Sequence, residues 1–437
     1  MLRSLIASWP LFFGLFLIMI GNGLLIFMLG VRASNAGFGT FISSIMMSGY
    51  FVGFFGGSQI VPKLLSSVGH IRTFGALSAI ASAAALVHLL KTDPILWTAM
   101  RGLTGFAYAG MYIVVESWLN AKATNDSRGQ MLSIYMIITM GGLGLGQITG
   151  GLDDGTAISL FLVASILVSI AVVPILISVS PAPEFAEPES VPIRRLYAIS
   201  PLAMVGMGLQ GVTAAVTFGL GAIYATKIGL TSFQAAVFVA SVTIGNMVLQ
   251  YPVGKLSDIF DRRKVIVIVS AVAGVSAFGA SLMGPSHYWI LVVLTALYGG
   301  FSLTIYSLCI AHANDYLTPS QMVGTASTLI TVNGIGAIIG PPLVGALMDI
   351  AGTQIYFVMI ALIHALLVGM ALVRMSVRAA VPVQAQGPFI AVPEVGTAVA
   401  ATLNPEAAWS EEDDDVDPQA PLFEDNPYLQ ITPTSQD

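Results

Sequence analysis

Pro181-Ala182-Pro183-Glu184-Phe185-Ala186-Glu187-Pro188-Glu189-Ser190-Val191-Pro192-Ile193-Arg194-Arg195 forms the polar hinge of this chain. Its prolines resist helix continuation and its glutamates stay solvated. Working outward from it, six long apolar runs precede the hinge and six follow. A hydrocarbon core about 30 Å thick takes roughly 20 apolar residues to cross as a helix. The expected spans are 9–31, 38–60, 73–90, 95–118, 130–152 and 156–179, then 199–226, 231–254, 264–285, 287–312, 319–347 and 353–375. The chain therefore reads as an all-α membrane protein of twelve transmembrane helices in two pseudo-symmetric halves. Residues 1–180 make the first half, 181–198 a linker, 199–375 the second half and 376–437 an acidic tail.

Composition agrees. Of 437 residues, 56% are hydrophobic and 9% charged, against about 25% charged in soluble proteins. The 45 glycines suit helices that approach closely in lipid. The formal charge of −6 mixes two regions: residues 1–375 hold 16 Lys/Arg and 12 Asp/Glu, whereas residues 376–437 hold 1 and 11. The single cysteine, Cys309, excludes an internal disulfide and a cysteine metal cluster. The apolar run Leu11–Val31 is too long for a signal-peptide core, so it reads as a retained first helix.

Lys/Arg placement sets orientation. With both termini on one side, that side holds 13 basic residues (Arg3, Lys63, Arg72, Lys122, Arg128, Arg194, Arg195, Lys255, Arg262, Arg263, Lys264, Arg374 and Arg378) and the other holds Arg32, Lys91 and Lys227. The richer side, called the basic face below, is expected to be cytoplasmic. Arg101 is left inside a span. The tail carries the acidic run Glu411–Asp417, which repels itself and is expected to be a disordered, solubilising segment. A docking role for an unnamed basic partner is the other reading of that tail. Residues Pro388–Pro405 are less charged and could rest on the basic face.

The two halves correspond. The loop after the second span ends Ser66-Ser67-Val68-Gly69-His70-Ile71-Arg72, and the loop after the eighth reads Gly254-Lys255-Leu256-Ser257-Asp258-Ile259-Phe260-Asp261-Arg262-Arg263-Lys264. The fifth span carries Gly141-Gly142-Leu143-Gly144-Leu145-Gly146-Gln147-Ile148-Thr149-Gly150, and the eleventh carries Gly334-Ile335-Gly336-Ala337-Ile338-Ile339-Gly340-Pro341-Pro342. At these residues the chain resembles the major facilitator superfamily over the whole of 9–375. The resemblance implies transport by alternating access, with the first, fourth, seventh and tenth helices around a central cavity. The Gly254, Asp258, Asp261, Arg262 and Arg263 loop is similar to the superfamily's gating loop, and Asp258 is expected to pair with Arg262, Arg263 or a helix terminus. The first half has Ser66 where Asp258 stands, so gating is expected to be asymmetric. Glu116-Ser117-Trp118-Leu119-Asn120-Ala121, Arg128-Gly129, Tyr135, Gly144–Gln147 and Tyr306–Asp315 resemble the YcaD-like branch. Arg101-Gly102-Leu103-Thr104-Gly105 is similar to the superfamily's fourth-helix motif, whose Arg is associated with proton coupling in some drug antiporters.

Ionisable residues inside a bilayer are expensive and are functional candidates by default. At 100° per residue, Tyr108, Tyr112 and Glu116 lie about −20°, +20° and +60° from Arg101, which makes one polar stripe. Two readings of Arg101 stand: a cavity or coupling group, or a side chain snorkelling to the interface. Glu116 reads as a proton-carrying carboxylate or as a brace for Arg128. Asn22, Gln147, Gln210, Tyr298 and Tyr306 are cavity candidates or interhelical hydrogen-bonding groups. His312 and Asp315 share a helix face and could carry a proton. Gly146, Gly150, Gly340 and Pro341 are expected to bend their helices.

No GxxxxGK[ST] loop, metal-ligand spacing, nucleophile–base pair or nucleic-acid-binding pattern is present in the sequence. No cofactor, metal or nucleic-acid partner is expected, and the chain is not read as an enzyme. The expectation is a secondary active transporter in the bacterial cytoplasmic membrane, moving a small, partly apolar solute by proton-coupled efflux. Proton-coupled import of an organic acid, sugar or osmolyte stands as an alternative, as does a non-transporting sensor or scaffold acting through the acidic tail. The expected partners are the solute, protons and the lipid bilayer.

Overall fold

The computed structural model describes residues 8–123, 127–153, 158–176, 191–392, 394, 396–397 and 399–400. The hinge residues 181–190 and the acidic run Glu411–Asp417 lie outside them. Twelve long helices follow in order: α1 (Trp9–Asn35), α2 (Thr40–Val68), α3 (His70–Val87), α4 (Pro94–Lys122), α5 (Arg128–Gly150), α6 (Ile158–Leu176), α7 (Pro201–Lys227), α8 (Ser232–Ile259), α9 (Arg262–Ser281), α10 (Tyr288–Asn314), α11 (Pro319–Ala351) and α12 (Ile355–Val377). Several exceed their expected spans: α2 runs on to Val68 and α11 to Ala351. Eleven helices are long and apolar enough to cross a bilayer on those criteria alone. The twelfth is α4, whose Arg101, Glu116 and Lys122 lower its hydropathy because it faces inward.

Local signals start these helices. Asp93 accepts the N–H groups of Ile95 and Leu96 at 3.0 Å, with Pro94 in the first turn, so α4 begins at a true N-cap. Thr231 and Gln234 form a capping box on α8, and Thr318 and Gln321 repeat it on α11. Large apolar side chains such as Ile95, Val275, Trp289 and Ile350 stand outward and exposed, as a lipid-facing surface requires.

Pairing of helices repeats between the halves. In the first half α2 packs on α4, α1 on α5 and α6, and α3 on α4 and α6. In the second, α8 packs on α10, α7 on α11 and α12, and α9 on α10 and α12. Glycines make the equivalent contacts. A Cβ on Gly53 would lie 1.8 Å from the Gly102 carbonyl oxygen, and one on Gly245 would lie 1.9 Å from that of Ala296. Neither α2–α4 nor α8–α10 could close with a larger residue there.

The same kind of contact recurs at the glycines of α5 and α11. Gly146 abuts the Ile20 carbonyl, Gly150 the Phe27 ring and Gly340 the Val212 carbonyl, while α5 continues through Gly146 to Gly150 and α11 continues through Gly340 and Pro341. These glycines serve close approach to α1 and α7.

Candidate functional site: a cavity between the halves

The halves meet through α2 with α11, α5 with α8 and α1 with α7. Their close contacts gather at the face opposite the basic one. Asp349, near the end of α11, accepts the backbone N–H of Thr40 at 3.0 Å and of Phe41 at 2.8 Å, which caps α2 across the seam. Lys227 of α7 stands 3.9 Å from the same carboxylate. Glycines seal the rest: Gly345 faces Ser44, Gly30 faces Ala222 and Gly151 faces Ala236. One end of the path between the halves is thereby closed.

Toward the basic face the halves part. A cavity of about 230 Å³ lies there, between Tyr50, Phe54, Ser58 and Gln59 of α2, Ala214 and Phe218 of α7, and Ser327, Thr331 and Asn333 of α11. Its wall is aromatic on one side and amide- and hydroxyl-bearing on the other. Ligand pockets commonly span about 300–1,000 Å³; here Glu394, Gly396, Thr397 and Val399 of the C-terminal segment form part of the lining and take up space.

The α4 stripe lies one layer behind this cavity. Arg101 is 2% exposed, so it does not snorkel. Its guanidinium carbon sits 4.5 Å over the Tyr50 ring, and its Nε and Nη1 atoms have no hydrogen-bond partner among the described residues. Tyr50 lines the cavity, so Arg101 reaches the cavity through that ring. Tyr108 packs against Tyr50 and Tyr112, and the Tyr108 hydroxyl donates to Ile18 O at 3.5 Å. The Asn22 amide donates to the Tyr112 hydroxyl at 3.2 Å and the Tyr50 hydroxyl at 3.4 Å. α1, α2 and α4 therefore share one polar network.

Glu116 is fully buried at the other end of α4. It accepts from the Tyr135 hydroxyl at 2.6 Å, from the Thr397 backbone N–H at 3.1 and 3.2 Å and from the Thr397 hydroxyl. No cation, Arg128 included, comes within ion-pair distance of it among the described residues. Glu116 and Arg101 stand about 22 Å apart by helical rise, each without an ion-pair partner.

On the second-half side, Gln210 of α7 donates to Glu394 and accepts from the Thr213 hydroxyl at 3.3 Å. Tyr298 shares a 2.6 Å hydrogen bond with Thr217. Tyr306 is buried, and its hydroxyl has no hydrogen-bond partner among the described residues. Gln147 meets Thr243 across the α5–α8 seam at 3.5 Å.

The basic-face cluster contains the expected Asp258–Arg262 pair, at 3.9 Å, and adds a closer partner for Arg262 that the sequence reading did not name. Arg262 is buried and pairs with Asp315, the residue that caps the C-terminus of α10, while also donating to Ala311 O at 2.9 Å and Ser257 Oγ at 2.9 Å. Asp258 lies 3.9 Å from Arg262, is substantially exposed, and accepts the Phe389 N–H at 2.6 Å. Asp261 pairs with Arg263 at 2.9 Å. Asp315 thus serves Arg262 and not His312, whose ring packs edge-on against Tyr316. A buried guanidinium demands the nearest buried carboxylate, and that demand outweighs the shared face of His312 and Asp315. Gly254 faces the Phe389 ring. Phe389 rests on the basic-face loop as expected, whereas Val392, Glu394 and Thr397 reach α10, α7 and α4 between the halves.

The structure brings together Asn22, Arg101, Tyr108 and Tyr112 in one network, and Glu116 with Gln210 through the C-terminal segment. It adds Tyr50, Ser58, Gln59, Thr331 and Asn333 to the wall. The polar Ser58-Gln59 pair after Phe54-Phe55 was the available signal for α2.

A family model described as the Major Facilitator Superfamily matches residues 202–411. An uncharacterized MFS-type transporter of Yersinia enterocolitica is 25% identical over 359 residues, covering 80% of this chain and 88% of the relative. The uncharacterized MFS-type transporter YcaD of Escherichia fergusonii is 24% identical over 322 residues, 72% of this chain and 82% of that protein. Among solved structures, the nucleoside transporter NupG superposes with a TM-score of 0.71 at 12% identity, over 84% of this chain and 99% of that one. That likeness speaks to the fold.

Proposed function

Because this chain belongs to the major facilitator superfamily, we propose that it works as a proton-coupled secondary transporter exporting a small, partly apolar solute across the bacterial cytoplasmic membrane. The carrying observation is a cavity between two symmetric halves, closed at one end, with a buried carboxylate, Glu116, behind its lining residue Thr397 and without an ion-pair partner among the described residues. If the basic face is cytoplasmic, as the positive-inside bias supports, this conformation faces inward.

In this reading Glu116 is the proton-carrying group. A carboxylate that gathers only neutral donors can take a proton without breaking an ion pair, and Tyr135 holds its orientation. The aromatic wall of α2 receives the apolar part of the solute, while Gln59, Thr331 and Asn333 meet its polar groups. Arg101 sets the Tyr50 ring and couples the network of Asn22 and Tyr112 to that wall. The Asp349 cap keeps the far end shut until solute and proton occupancy change.

One observation favours import of an anion as a second reading. The guanidinium of Arg101 has two unpartnered nitrogens behind Tyr50, and a rotation of that ring would present them to a carboxylate.

The test is a thermal-shift screen on purified protein in detergent with lipophilic cations, organic acids, sugars and amino acids, with Arg101→Ala in parallel. Export of a partly apolar solute predicts stabilisation by the lipophilic members that survives Arg101→Ala in reduced form. Stabilisation by organic acids alone, abolished by Arg101→Ala, selects the import reading. Reversing the pH gradient in vesicles then tests coupling: solute movement indifferent to that gradient would sink proton coupling in both directions.

A further inference from the structure

Beyond α12 the chain turns back across the basic face and enters the space between the halves. Arg262 donates to Gly387 O at 2.7 Å, and the Gly387 N–H donates to Asp315 at 3.2 Å. Phe389 seats its ring on Gly254 and its N–H on Asp258. Ser307 of α10 brackets Val392, donating to its carbonyl at 3.1 Å and accepting its N–H at 3.0 Å. Glu394 then takes the Gln210 amide on α7. Thr397 crosses to the first half and gives Glu116 both its N–H and its hydroxyl. Val392, Thr397, Val399 and Ala400 are buried.

Three features make this more than a surface contact. The described residues of the segment are irregular, with turns at Glu394 and Val399–Ala400, so their backbone groups need partners, and the helices supply several of them. It touches α4, α7, α8 and α10, hence both halves. It also satisfies Glu116, whose other described side-chain partner is Tyr135. A segment held this way occupies the volume that closure of the basic face would require.

We propose that residues 387–400 are an intramolecular plug, a ligand supplied by the chain itself that occupies the cavity from the basic face and competes with solute for Glu116 and Gln210. The chemistry of the docked segment describes what the site accepts: a peptide-like group with an N–H and a hydroxyl toward Glu116 and a carboxyl toward Gln210. The occupancy stands on these contacts alone; the consequence for flux rests on the transporter reading.

The test uses the full chain and thiol labelling. Native Cys309 is buried, so its labelling reports unfolding. An Ala400→Cys reporter should label at least tenfold slower than an exposed Ser286→Cys control with an impermeant maleimide. Adding Thr397→Pro, which removes both the N–H and the hydroxyl given to Glu116, should bring the reporter to the control rate while Cys309 stays protected. A synthetic peptide of residues 387–400, added to the chain with the substituted tail, should slow labelling of a Ser58→Cys reporter in the cavity wall, and the same peptide with Thr397→Pro should not. An Ala400→Cys reporter that labels as fast as the control, or a peptide without effect, overturns the plug. Protection without transport of any screened solute would sink the transporter reading and leave the plug standing.

Discussion

Asp349 of α11 holds the backbone N–H of Thr40 at 3.0 Å, so a carboxylate of the second half caps a helix of the first. A negative group at a helix N-terminus satisfies orphan donors and meets the helix dipole. Removing such a cap costs about 0.5–2 kcal/mol, and here that cost falls on the closed state of the seam. Asp349→Ala should therefore open the face opposite the basic one more often. A Met47→Cys reporter, buried at that seam beside Gly219, should label about 2- to 30-fold faster in the variant. Unchanged labelling would show that the glycine contacts alone hold the seam.

Arg262 lies between two carboxylates of unequal consequence. Asp315 pairs with it in a buried setting, whereas Asp258 sits 3.9 Å away and exposed. Breaking a buried pair strands a charge and costs about 3–5 kcal/mol; an exposed pair is worth about 0–1 kcal/mol. Asp315→Ala should lower the denaturation midpoint in detergent strongly, while Asp258→Ala should barely move it and act instead on docking of Phe389. Equal effects on stability would mean that Arg262 finds a substitute partner.

Close helix approach makes a sharp contrast between two glycines. A Cβ on Gly105 would lie 1.9 Å from the Tyr50 carbonyl oxygen, whereas one on Gly141 meets nothing within 4 Å. Overpacking costs about 1–3 kcal/mol and sometimes more; an alanine in open helix gains up to about 1 kcal/mol over glycine. Gly105→Ala should lower the thermal midpoint and displace Tyr50 from the cavity wall. Gly141→Ala should leave the midpoint unchanged or raise it. Similar losses in both would refute the α2–α4 contact as the cause.

Much of this was legible in the sequence, and the limits have physical reasons. Span count and pseudo-symmetry follow from run length and glycine placement. The α4 stripe stands out because Arg101 and Glu116 interrupt an apolar run. Partnerships were harder. Asp258 is one helical turn from Arg262 and so the visible partner, yet Asp315, 53 residues away, wins through burial. Asp349 reads as an ordinary charge at a helix end, because its partners are backbone N–H groups that leave no mark in the sequence. Residues 387–400 have neither helical nor strand periodicity, and the described ones bind as irregular chain through both backbone and side-chain contacts.

Glu394 makes docking of that segment dependent on pH. In the undocked segment its carboxyl titrates near the ordinary 4.5; docked, burial pushes it up to about 8 against the lowering effect of the Gln210 hydrogen bond. The titratable groups that face it, Tyr298 and Tyr306 of α10, are phenols, and no cation pairs with it among the described residues. A group whose docked pKa is raised binds a proton on docking, so docking is fully favoured below the lower value and is lost as pH rises toward the higher one. Residual solvent contact at Glu394 keeps the slope below the limit of tenfold per pH unit. Labelling of the Ala400→Cys reporter, expressed relative to Ser286→Cys to remove the pH dependence of the thiol itself, should rise between about pH 5 and pH 8 and level off above. Glu394→Gln should flatten that rise, because an amide in place of the carboxyl has no proton to exchange. A rise that persists in Glu394→Gln would assign the titration to Glu116 beneath Thr397.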